Sequence, residues 1–159
     1  MLRSSFLFFL KRLFIILSVG LFFSNNSTAL NYYWIGNGGN WSSLSHWATT
    51  SGGTTLHIQL PTANDDVFFD VNSFSLTGQT VTVNQSSVFA HHINWTGVLN
   101  NPTWGGNSPN VVKIYGSLTL ISGMSMDFSG HIQFLSTATG QTIATTGKDL
   151  PDITFNGSG

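Results

Sequence analysis

From residue 30 onward the chain shows no helical period. Its apolar residues alternate in short runs rich in Val, Ile, Thr and aromatics, and Gly, Asn, Ser and Pro separate the runs. The pattern predicts strands at 32–35, 66–71, 80–84, 91–95, 111–115, 117–121, 125–128, 131–135, 142–145 and 152–155, with LHIQL at 56–60 as a further candidate. An all-β chain of short strands is the fold class this implies.

One form recurs within it. IYGSLTL (Ile114–Leu120) and FSGHIQF (Phe128–Phe134) both read apolar-x-Gly-x-apolar-x-apolar, and WTGVL (Trp95–Leu99) and FNGSG (Phe155–Gly159) begin the same way. A strand, a glycine corner at Gly97, Gly116, Gly130 or Gly157, and a further strand is what a coiled solenoid needs. An antiparallel β-sandwich also shows short alternating strands. Asn-Gly hairpin dipeptides are scarce between the strands, which favours the parallel β-helix or solenoid. The sequence stops just past a corner glycine with no capping segment, so 30–159 is expected to be one solenoid module, truncated at its C-terminal end.

The start of the chain is different. Arg3, Lys11 and Arg12 precede the apolar run LFIILSVGLFF, and small residues follow at Ser27 and Ala29. This is the pattern of a secretory signal peptide over 1–29, and Lys11-Arg12 breaks the apolar stretch a spanning helix would need. Lys113 and Lys148 are then the only basic residues left against six Asp, a net charge of about −4. Charged residues make up 7% of the chain, against about 25% in an average soluble domain. Such a surface is polar without being ionic, and it offers no basic footprint for nucleic acid. Cysteine is absent, which excludes disulfides and thiol chemistry.

Two segments concentrate unusual residues. YWIGNGGNWSSLSHW (Tyr33–Trp47) holds three of the five tryptophans. Its glycines do not make a dinucleotide fingerprint: Trp41 stands where the third glycine belongs, and no acid lies where a ribose would be held. Trp34, Trp41 and Trp47 read as a structural cap over the end of a β core, each burying on the order of 200 Å². Aromatic faces among Asn and Ser also suit a sugar platform. LPTANDDVFFDVNSF (Leu60–Phe74) holds half of the acids. On a strand Asp66 and Asp70 would stand about 13 Å apart, too far for a glycosidase pair at about 5 or 6.5–9.5 Å. Asn64, Asp65 and Asp66 offer the hard oxygens of a calcium site. The plainer alternative is a Pro-led turn in which Asp65 or Asp66 bonds local backbone, followed by Val67, Phe69 and Val71 pointing inward. His91 and His92, if on a strand, face opposite ways, and all five histidines read as structural. Trp95 and Trp104, beside the polar loop NNPTWGGNSPN, are the candidates for glycan contact.

YYWIGNGGNWSSLSHWATTSGG followed by LPTANDDVFFDVNSFS resembles the opening module of large secreted proteins of Bacteroidetes, many of them adhesin-like and many ending in a gliding-motility-associated C-terminal sorting domain. More loosely, W-x-G-x-x-x-x-W…W with P-x-x-x-D-x-V-x-F is similar to β-helical autotransporter-like passengers. The resemblance implies export, a β-solenoid stalk and a secreted or cell-surface place, and it carries over no catalytic residue. The expected function is that of a non-enzymatic scaffold or surface-contact segment, with glycans or other surface proteins as partners, no cofactor unless calcium, and no membrane span after the leader. The rivals are a carbohydrate-binding module and the N-terminal part of a polysaccharide-degrading β-helix enzyme.

Overall fold

The strand register shows why this alternation coils instead of folding into a sandwich. A computed structural model describes residues 28–158; the proposed leader at 1–29 lies outside the described residues except for its last two. Along the chain run β1 (Asn31–Trp34), β2 (Gly39–Asn40), a 3-10 turn (Leu44–His46), β3 (Trp47–Ala48), β4 (Asp66–Phe68), β5 (Thr80–Val83), β6 (Ser87–Ala90), β7 (Ile93–Asn94), β8 (Thr103–Gly106), β9 (Val111–Ile114), β10 (Leu118–Thr119), β11 (Ser125–Phe128), β12 (His131–Phe134), β13 (Ile143–Ala144) and β14 (Asp152–Phe155).

These strands build three sheets, in the orders β13-β10-β7-β4-β1-β3, β11-β8-β5-β2 and β14-β12-β9-β6. The chain visits the sheets in turn: β4, β5 and β6 make one coil, β7, β8 and β9 the next, and β10, β11 and β12 a third. The fold is a parallel β-solenoid of about four turns. Among the described residues every pairing between strands is parallel except that of β1 with β3, so the sandwich alternative falls. At the corner leading into the first sheet, successive coils are bonded across 35, 26, 25 and 25 residues.

Alternation now has a physical outcome. One residue in two points into the coil and stacks on its counterpart one coil away. Tyr32, Val67, Ile93 and Leu118 form one buried column, and Trp34, Phe69, Trp95 and Leu120 another. Val88, Val112 and Ile132 form a third. Burying each such side chain contributes roughly 1.5–3 kcal/mol. Phe69 stacks on Trp95 at 3.7 Å between ring centroids, and Trp104 on Phe128 at 6.0 Å.

The corner glycines serve close approach more than unusual backbone angles. Gly97 has φ +82°, but at Gly116, Gly130 and Gly157 an added Cβ would strike a neighbouring side chain or the backbone of the preceding coil. They sit at different corners: Gly116 before β10, Gly130 between β11 and β12, Gly157 after β14. The recurring glycine form is therefore not the coil repeat, which explains its uneven spacing.

Several strand expectations need correction. The strand expected at 66–71 ends at Phe68, and Val71 is exposed instead of pointing inward. LHIQL contributes only the bridge from Leu56 to Ala48. The segment expected as a strand at 91–95 is paired only at Ile93–Asn94, because the chain bends at His91-His92.

Candidate functional sites

The tryptophan segment becomes the first half-coil. Trp34, Trp41 and Trp47 are buried, with Trp47 meeting both of the others edge-on at 4.9 Å. The polar handles are used: Trp47 Nε1–H donates to Trp41 O at 2.8 Å, and Trp34 Nε1–H donates to Asn37 O at 2.6 Å. His46 lies flat on Trp34, 4.5 Å away and 4° from parallel, with Nδ1 2.7 Å from Ile35 O. Gly39 makes room for that ring, since any Cβ there would strike His46. The indoles of this segment therefore present no faces to a sugar.

Trp95 and Trp104 are corrected as glycan contacts. Both have no exposed surface. Trp104 lies on β8, not in a polar loop, and points inward beside Trp95 at 5.9 Å. Their Nε1–H groups find no partner among the described residues, a cost of about 1–3 kcal/mol each that the aromatic packing offsets.

Asp65 is also spoken for. It is 1% exposed. Its Oδ1 accepts the Leu30 N–H at 2.9 Å, and its Oδ2 accepts the Thr62 N–H at 2.8 Å and the Thr62 hydroxyl at 2.6 Å. This is the Pro-led turn, extended by a bond to the preceding coil. Two occupied oxygens leave the calcium set of Asn64, Asp65 and Asp66 without its central ligand; Asn64 itself is exposed.

Asp66 turns elsewhere. It opens β4 directly beneath the bend at His91-His92. At a corner, adjacent residues need not face opposite ways, and the two imidazoles lie 4.0 Å apart. His91 Nδ1 is 2.9 Å from Asp66 Oδ1, which also accepts the His92 N–H at 3.2 Å. Ser117 N–H donates to His92 Nδ1 at 2.7 Å, and the Ser117 hydroxyl donates to Gln141 Oε1 and accepts the Thr142 N–H, both at 3.0 Å. A polar column thus climbs the corner, one side chain per coil satisfying the backbone of the next. Burial and the nearby His91 hold His92 below the ordinary histidine range, against a smaller pull from Asp66. Sequence reasoning missed this cluster because it placed both histidines on a straight strand.

The far end of the solenoid bears a cleft of about 220 Å³ whose lining includes Phe134, Ser136, Gln141, Ile143 and Phe155. No residue lining it is ionisable. Asp127 is exposed on β11, beside Gly105 of the neighbouring strand. Among the described residues no helix is long and apolar enough to cross a membrane. No family model, curated protein or solved structure compared with the chain matches it.

Proposed function

We propose that this chain is a scaffold and surface-contact segment of an exported, adhesin-like cell-surface protein, without enzymatic activity of its own. The observation that carries the reading is the contrast between the two sides of each strand. Inward positions are apolar and closely stacked. Outward positions include columns of small uncharged polar groups, such as Thr80–Thr103–Ser125 and Asn94–Thr119. A regular coil holds such columns at fixed spacing, and many weak hydrogen bonds to glycans or to other surface proteins would follow from it. The leader-like start supports export, and the Asp65, Val67 and Phe69 positions of the resemblance motif serve packing and turn formation.

The chain is expected to reach the cell surface when expressed with residues 1–29 and to stay inside without them, as read by protease accessibility on intact cells. With so few charges, any surface binding should barely change with ionic strength; a steep loss with salt would point to an ionic mode instead. Release of sugar fragments from neutral or acidic polysaccharides by the purified chain would overturn the non-enzymatic reading in favour of the β-helix enzyme.

A further inference from the structure

We infer that Asp66, His91 and His92 form a binding site for a divalent cation of the borderline class, such as zinc, that staples the coil opening at β4 to the coil opening at β7. One ligand-type atom from each side chain lies within 4.8 Å of those of the other two. The rings are tilted 55° to each other instead of stacked flat, and all three residues are half-buried, so water can complete a coordination shell. Two nitrogens and one carboxylate oxygen are a donor set for zinc, nickel or copper and not for calcium. A tetrahedral shell with bonds of about 2.0–2.2 Å sets donor atoms roughly 3.3 Å apart. His91 already faces Asp66, and the His92 ring lies beside it, so small side-chain rotations close that gap.

The surroundings are built for it. His92 leans across Gly116, where a Cβ would stand 2.6 Å from its Nδ1, so only glycine leaves the ring this position. The Nδ1 lone pair of His92 now receives the Ser117 N–H. An ion held by either nitrogen of His92 changes the acceptor that this amide meets, and a neutral His91 needs only to move its proton from Nδ1 to Nε2 to present the facing lone pair. Binding therefore has a local reporter outside the ligands themselves. It also has a global one, because an ion bound only by the folded chain stabilises it by mass action.

The test is a zinc titration of the chain after chelator treatment, followed by calorimetry, thermal unfolding and the Ser117 amide resonance. The expected result is one equivalent bound with micromolar affinity, a raised Tm and a shifted Ser117 amide. Affinity should fall at least tenfold in His91→Gln and in Asp66→Asn, and stay unchanged in His131→Gln, a histidine on another sheet. If Asp66→Asn fails to fold, His91→Gln together with the wild-type Ser117 shift decides the matter. Absence of saturable binding would overturn the site. So would binding that survives in His91→Gln/His92→Gln, or zinc that raises Tm without moving the Ser117 amide.

Discussion

The two ends of the solenoid meet the same problem and treat it differently. At the N-terminal end β3 doubles back antiparallel on β1, covering the outer edge of the first sheet with a two-residue strand. Trp34, Trp41 and Trp47 fill the space behind it, and His46 lies on Trp34. At the far end β11, β13 and β14 are all edge strands, and Ile143, Ile153 and Phe155 are 38%, 42% and 66% exposed. A parallel coil has a hydrogen-bonding edge and an apolar cross-section on both sides, and each costs free energy when left bare. Covering a face takes large aromatic rings and a change of strand direction. The first fifty residues supply both, whereas residues 143–155 supply one mostly exposed ring, Phe155, and no reversal of strand direction.

The comparison predicts unequal costs for removing an aromatic ring. Trp47→Ala should lose about 3–5 kcal/mol, from the cavity and from the unpaired Trp41 carbonyl. Phe155→Ala, which removes a mostly exposed ring stacked on Phe134 at 5.2 Å, should lose about 1 kcal/mol or less. Urea midpoints at constant slope measure both. Similar losses at the two ends would show that the N-terminal indoles do not close the stack.

Asp65 ties the closed end to the second coil, so Asp65→Ala leaves the Leu30 amide and both Thr62 donors without their acceptor. The expected loss is about 2–4 kcal/mol. Asp70→Ala, in which the carboxylate accepts the exposed Asn72 N–H, should stay within about 1 kcal/mol. Amide exchange at Leu30 should rise sharply in the first variant and stay unchanged in the second.

These residues also show how much of the molecule was readable in advance. Inward alternation marked ten strands, since apolar burial on one face leaves a period of two in any register. Burial of the tryptophan segment was legible because its glycines fit no phosphate-binding pattern. Strands β3 and β6 were missed as short runs of two and four residues, and β2 and β8 were hidden because Gly39-Asn40 and Thr103–Gly106 carry turn residues whose strand pairing comes from neighbouring coils and not from local preference. That is how Trp104 came to be read as a loop residue. The coil period was obscured by insertions in the first coils and by glycines at unlike corners. The Asp66–His91–His92 cluster was out of reach, because only the corner bend joins residues 25 apart.

That corner makes stability depend on pH within the middle coils. The lowered pKa of His92 means that the unfolded chain takes up a proton more readily than the folded one. The contribution is fully present above about pH 6.5, the ordinary histidine value. It is lost as pH falls from there through the lowered value, where a proton on Nδ1 opposes the Ser117 N–H. In chelator, ΔG of unfolding should fall across that window. His92→Asn keeps an acceptor for Ser117 without titrating, so it should flatten the slope; an unchanged slope would place its origin elsewhere.

The smallest effect on folding, and the sharpest distinction between the ends, concerns association. Bare parallel edges flanked by Ile143, Ile153 and Phe155 can pair with other chains, whereas the edge behind β3 is short and backed by buried rings. A protein of these residues alone should therefore self-associate with rising concentration, as read by sedimentation velocity. Ile153→Lys and Phe155→Lys should abolish this while changing stability by about 1 kcal/mol or less, because both side chains already face water in large part. Leu44→Lys in the 3-10 turn of the closed end, an exposed leucine of similar size, should leave association as it was. If the Leu44 variant is the one that dissociates the oligomer, the closed end is the sticky one and the contrast between the two ends fails.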